Sequence, residues 1–171
     1  MKRAGQIVDW IADMGGYFSG WLVPVMMLLV VVEVFMRYVL DRPPMVADEF
    51  SAYLLVAISY LGLAYTWRQK GHVRITIFVG RFSPRSSSWV RLITLLLNLI
   101  FLLALTQTGY KMIVYALKIN LRSSTWLTFP LFWPQLTVFI GFVLLTLVLV
   151  VEIVRAIGKI RSGENVEEAA S

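Results

Sequence analysis

The sequence predicts an all-α integral membrane protein with four transmembrane helices, an amphipathic interfacial helix between the second and third, and both termini cytoplasmic. Three observations carry this. The 171 residues are 58% hydrophobic and only 15% charged, with a mean hydropathy of +0.75, a balance typical of membrane chains and not of soluble globular domains. Four apolar runs are each long enough, at ~1.5 Å per residue, to cross or nearly cross a ~30 Å hydrocarbon core. The Lys and Arg residues gather in alternate connections, the pattern of an orientation signal.

The first run, about 15–36, follows Lys2 and Arg3. A basic start before apolar residues is also how a signal peptide begins. This run is longer than a typical signal core, however, and it ends at Glu33 and Arg37 without a small-residue cleavage site, so it is expected to be retained. The second run, about 49–67, is preceded by Pro43 and Pro44, which exclude helix, and by Asp48 and Glu49, whose charges suit the positive end of a helix dipole. The third, about 89–117, is longer than a bilayer requires and should tilt or project. The fourth, about 133–154, is approached through Pro130 and Pro134, where a missing N–H costs little. Trp21, Trp67, Trp89, Trp126 and Trp133 lie near the ends of these runs, as aromatic belts do. The chain reads as one membrane domain over 1–171, with a short polar tail, 162–171, expected to be disordered.

Lys and Arg are retained preferentially on the cytoplasmic side. Lys2 and Arg3, then Arg68, Lys70, Arg74, Arg81, Arg85 and Arg91, then Arg155, Lys159 and Arg161 fall on one side, against Arg37, Arg42, Lys118 and Arg122 on the other. Lys111 lies within the third run. The termini are therefore expected inside, with the connections at about 37–48 and 118–132 facing outward. Between spans two and three, about 73–85, Ile75, Phe78, Val79 and Phe82 recur at helical spacing while Arg74, Arg81 and Arg85 take another face, which suggests a helix lying in the interface. Alternation across Val73, Ile75, Ile77 and Val79 also fits a strand, but a lone strand beside a membrane leaves its edges unpaired.

Several function classes are excluded or disfavoured. The net charge of +6 could serve nucleic acid, but that needs basic residues on a soluble face, and here they sit between apolar runs. There is no cysteine, hence no disulfide, thiolate nucleophile or cysteine metal site. The single histidine, His72, lies in the basic connection and cannot supply a bis-histidine haem site. No phosphate-binding glycine loop, nucleophile elbow or metal-ligand spacing is present, so neither an enzyme nor a bound cofactor or metal is expected.

Ionisable residues inside spans are costly and therefore informative. Glu33, Arg37 and Asp41 follow at i, i+4 and i+8, an acid-base-acid ladder whose readings are a proton or ion site or, preferred here, an anchoring salt-bridge ladder. Glu152 with Arg155 is the same situation at the end of span four. In span two, Ser59, Gly62 and Thr66 form a small-residue stripe that lets another helix approach, and Tyr53, Tyr60 and Trp67 repeat every seventh residue. The spacing leaves open whether their neighbour is internal or another subunit. Asn98, Thr106, Gln107 and Thr108 read as helix-to-helix hydrogen bonders or, alternatively, as residues lining a path.

Taken in order, Glu33-Val-Phe-Met-Arg37-Tyr38, Pro43, Asp48-Glu49-Phe50, Tyr60-Leu-Gly62-Leu-Ala64, Arg68 and Gly71-His72-Val-Arg74 resemble the small membrane subunit, the DctQ type, of tripartite ATP-independent periplasmic (TRAP) transporters. The likeness continues through Ser124-Thr125, Pro130, Trp133-Pro134 and Gly141. Where the family often has a tryptophan before its acidic pair, this chain reads Met45-Val46-Ala47. The resemblance implies a bacterial inner-membrane scaffold subunit, paired with a large membrane subunit of the DctM type that carries substrate and sodium sites. It also implies a periplasmic binding protein of the DctP type that delivers an organic acid. On that reading Glu33, Arg37, Glu49, Tyr53, Tyr60, Gly62, Arg68 and His72 serve assembly or anchoring, and Arg74, Arg81 and Arg85 face the lipid interface. A stand-alone proton-coupled exporter using Glu33, and a membrane anchor for a redox enzyme, are the alternatives.

Overall fold

The computed structural model describes residues 2–41, 45–69, 84–125 and 127–162. They form four helices: α1 (Lys2–Val39), α2 (Ala47–Arg68), α3 (Pro84–Lys118) and α4 (Phe132–Ser162). Each expected span lies inside one of them, and all four are long and apolar enough to cross a membrane. The close of α1, the start of α2, the close of α3 and the start of α4 share one end, called here the hairpin end; the start of α1, the close of α2, the start of α3 and the close of α4 mark the terminal end.

One boundary differs from the sequence reading, and two expectations fall outside the described residues. Helix α1 begins at Lys2, well before the apolar run, because Asp9 and Asp13 find partners on other helices and the helical register continues through them. The expected interfacial helix over 73–85 falls mostly on residues 70–83, outside those described, as do His72, Arg74 and Arg81. Pro84 and Arg85 open α3. The tail beyond Ser162 also lies outside the described residues.

The helices do not close into a symmetrical bundle. Helix α4 packs against each of the others, α1 packs against α2, and α3 packs chiefly on α4. One apolar cluster joins Leu95 and Leu102 of α3 to Leu149, Ile153 and Ala156 of α4. A second joins Ala12 of α1, Ala64 of α2 and Val148 of α4. The remaining apolar surface of α1 and α3 is largely exposed, as it must be in a chain whose outer solvent is hydrocarbon.

Lipid is as apolar as leucine, so helix association in a membrane depends on close contact and not on escape from water. Small residues provide it here. A Cβ on Gly15 would stand 3.1 Å from the Leu61 carbonyl oxygen, one on Gly62 would stand 3.2 Å from Ser19 Oγ, and one on Gly16 would run into the Tyr65 ring. Gly62 of the predicted stripe therefore faces α1, an internal neighbour. Across the α2–α4 contact, a Cβ on Gly141 would lie 2.4 Å from the Tyr60 carbonyl oxygen.

The turn from α3 to α4 is also locally specified. Asn120 adopts a left-handed conformation, φ 50°, and the Leu121 N–H returns to the Ala116 carbonyl at 2.9 Å while the Asn120 N–H reaches Leu117 at 3.4 Å. This is the Schellman ending, which satisfies carbonyls that a helix terminus otherwise leaves bare. Beyond it, Ser123 N–H bonds the Phe129 carbonyl at 2.8 Å and Leu131 N–H the Leu121 carbonyl at 3.1 Å. The connection thus folds back on itself and returns the chain to α4.

Gly141→Ala should destabilise the protein by about 1–3 kcal/mol, the usual cost of overpacking, because backbone cannot yield to the added methyl. Gly20→Ala, where a Cβ meets nothing within 4 Å, should be close to neutral. Thermal unfolding of the two variants in the same detergent checks the contrast.

Candidate functional site

Among the described residues, the charged side chains other than Lys111 collect at the two ends of the helices. At the hairpin end the centre is Glu33, buried at 4% exposure near the close of α1. One carboxylate oxygen accepts from Arg37 Nη2 at 2.7 Å, one turn later on the same helix. The other accepts from the backbone N–H groups of Val46, at 3.0 Å, and Ala47, at 2.5 Å. Those are donors at the start of α2, where Val46 offers no side-chain cap of its own. A carboxylate on one helix thus caps the next, meeting bare N–H groups and the positive end of the α2 dipole together.

A second buried carboxylate, Glu49, sits in the first turn of α2. It accepts from the Tyr53 hydroxyl one turn on and from the Thr125 hydroxyl of the α3–α4 connection. Phe129 of the same connection packs against Phe50 and Tyr53, with ring centroids 5.2 and 5.3 Å apart. Glu33 therefore ties α1 to α2, and Glu49 ties α2 to the approach to α4.

At the terminal end, six charges from four helices pair across helix boundaries in two groups. Arg68 of α2 pairs with Asp13 of α1 and donates to the Asp9 backbone carbonyl at 2.6 Å. Arg155 of α4 reaches Asp9 Oδ2 at 2.6 Å, passing over Gly5, where a Cβ would come within 2.9 Å of its guanidinium. Glu152 of α4 accepts from Arg91 of α3 at 2.7 Å and from the Trp67 indole of α2 at 2.5 Å. Each group matches its carboxylates with as many guanidiniums, two against two and one against one.

Between the two ends the heptad-spaced aromatic residues of α2 point inward. Tyr53 meets Phe129, Tyr60 stands edge-on to Phe142 of α4 at 5.2 Å, and Trp67 bonds Glu152. The stripe is an internal seam.

Several sequence expectations are modified. The Glu33–Arg37 pair forms, but α1 ends at Val39 and Asp41 turns to φ 53°, so the ladder has no third rung. Glu152 and Arg155 do not pair with each other; both reach across to other helices. Asn98 and Thr108 bond their own helix, at the carbonyls of Thr94 and Ala104, and Thr106 alone of that group meets another helix, at Thr146 Oγ1, 3.4 Å away. Asp9, Asp13, Arg91 and Thr125 were not singled out from sequence as partners. The signal for Asp9 and Asp13 was present: two acids at i, i+4 in register with the following helix, at the same membrane level as the unmatched Arg68.

Chemically, the arrangement holds helices together. The three carboxylates on α2, α4 and the hairpin end of α1 have protein donors on both oxygens.

Comparison with known proteins follows the same lines. A family model, "Tripartite ATP-independent periplasmic transporters, DctQ component", matches residues 26–159, a stretch containing Glu33, Arg37, Glu49, Arg68, Arg91, Glu152 and Arg155 and beginning after Asp9 and Asp13. A protein of Haemophilus influenzae named "Putative TRAP transporter small permease protein" is 27% identical over 79 residues, covering 46% of this chain and 49% of the relative. The match spans about half the length of that relative.

Glu33→Ala should lower the melting temperature in detergent more than any other single change at the hairpin end, because it strips α2 of its cap and leaves Arg37 unpaired. Glu33→Gln, which keeps an acceptor oxygen, and Arg37→Ala, which leaves the backbone bonds in place, should each cost less. A Glu33→Ala protein melting with the wild type would contradict the capping role.

Proposed function

This chain belongs to the DctQ component family of tripartite ATP-independent periplasmic transporters, and on that premise we propose that it is the fixed scaffold subunit of a sodium-coupled importer of an organic acid. It is a multi-pass membrane protein and a transporter component. In the proposed assembly it sits in the bacterial inner membrane with both termini in the cytoplasm. It braces a large membrane subunit of the DctM type that carries substrate and sodium, and a periplasmic protein of the DctP type supplies the acid.

The observation that carries the scaffold reading is the commitment of three carboxylates that the spans take out of full exposure. Glu33, Glu49 and Glu152 are each taken up in attaching one helix to another. A coupling residue must exchange protons or ions during a cycle, and releasing any of these three would detach a helix. That also weighs against a stand-alone exporter using Glu33. Assembly and orientation are therefore the roles assigned to Glu33, Arg37, Glu49, Tyr53, Tyr60, Gly62 and Arg68. His72, Arg74, Arg81 and Arg85 are assigned to the cytoplasmic face on the positive-inside argument.

Reconstitution tests the reading. Liposomes containing this chain alone should take up no carboxylate under a sodium gradient. Adding the large subunit and the loaded binding protein should start uptake, and omitting this chain should abolish it. Single cysteines in the same cysteine-free chain should react with an impermeant thiol reagent from outside at Asn120, and at Arg81 only after permeabilisation. Transport by the isolated chain, or external labelling at Arg81, would overturn the proposal.

A further inference from the structure

Helix α3 packs on α4 through Leu95, Leu102 and Gly109, and Ile113 and Ala116 on the same side of the helix are also buried. Lys111 lies nine residues after Leu102, and at about 100° per residue this places it about 180° around the helix, directly away from α4. Gln107, one turn earlier, is on the same outward side. Both side chains are exposed, and among the described residues no hydrogen bond or ion pair engages either of them.

Depth makes this unusual. Measured from the close of α3 at Lys118, Lys111 lies about 10 Å and Gln107 about 16 Å along the axis, at ~1.5 Å per residue. A lysine stem can carry its ammonium several ångströms toward a lipid headgroup. A glutamine amide at Gln107's depth has no such reach, and an amide left facing hydrocarbon is costly. One neighbour that satisfies both is a second polypeptide. The group that pairs with a lysine at this depth is a carboxylate, and α3 itself contains no Asp or Glu to supply one. A second copy of this chain does not fit, because its span carboxylates Glu33, Glu49 and Glu152 are already engaged, and its exposed acids at the hairpin end, Asp41 beyond α1 and Asp48 in the first turn of α2, lie at helix ends and not two turns in.

We propose that the outward face of α3 around Gln107 and Lys111 docks a transmembrane helix of another chain that presents an Asp or Glu about two turns in from the hairpin-end surface. This inference rests on the functional reading above, which makes that chain the large membrane subunit. The ammonium meets the carboxylate, the Gln107 amide bonds alongside it, and the exposed small residue Ala104 on the same side allows close approach.

The test is co-purification of the large subunit with tagged versions of this chain from membranes expressing both. Lys111→Glu should reduce the large subunit recovered about tenfold or more, as loss of a desolvated charge pair does, while Lys111→Arg retains it. A photo-crosslinking residue at position 107, with Lys111 intact, should form its adduct with the large subunit, which keeps the test decisive if Lys111→Glu fails to fold. Recovery with Lys111→Glu equal to wild type, or adducts from position 107 to lipid or a second copy only, would overturn the inference while leaving the functional reading in place. Failure of the wild-type chain to recover any large subunit would sink that reading and this inference with it.

Discussion

A carboxylate inside an apolar helix must find its donors within the protein, and the structure is organised around where Glu33 finds them. Its two oxygens hold Arg37 on one side and the first backbone N–H groups of α2 on the other. Removing any partner would leave a group bare in a medium with no water to replace it. The α1–α2 hairpin is thereby fixed at its closed end. The position of Glu49 follows, since it lies in the turn that Glu33 caps, and with it the attachment of the α3–α4 connection through Thr125 and Phe129.

The terminal end repeats the principle with ion pairs in place of backbone donors. Asp9, Asp13 and Glu152 against Arg68, Arg91 and Arg155 bring all four helices to one level, and balanced charge removes the penalty that any one of them would carry alone. Between these two polar ends, Gly15, Gly16 and Gly62 let α1 and α2 approach closely, and Gly141 lets α4 meet the α2 backbone. A body held at both ends and in close contact along its length suits a part that stays still while another moves. Helix α3 is the exception, attached by one face and turning Gln107 and Lys111 outward.

Much of this was legible in the sequence. Hydropathy gave the four spans, the i, i+4 spacing gave the Glu33–Arg37 pair, and the heptad repeat of Tyr53, Tyr60 and Trp67 marked a packing seam. Helical spacing tells which residues share a face but not what that face meets. Glu152 and Arg155 therefore read as each other's partners, though the structure sends one to Arg91 and the other to Asp9. For the same reason Asn98 and Thr108 read as bonds between helices, although a carbonyl four residues back was nearer. The capping role of Glu33 was not visible because it depends on the closing of the hairpin, a contact across thirteen or fourteen positions that no periodicity encodes.

The central claim, that α1 and α2 form a fixed body, is open to direct trial in this cysteine-free chain. A Cβ at Gly62 lies 3.8 Å from the Ser19 Cβ, the separation a disulfide needs. In the complete transporter carrying Ser19→Cys and Gly62→Cys, the measurement is substrate uptake before and after oxidation. The scaffold account predicts that the bond forms and uptake is unchanged. Uptake that stops on oxidation and returns on reduction would show that these helices must separate during the cycle, and would contradict it.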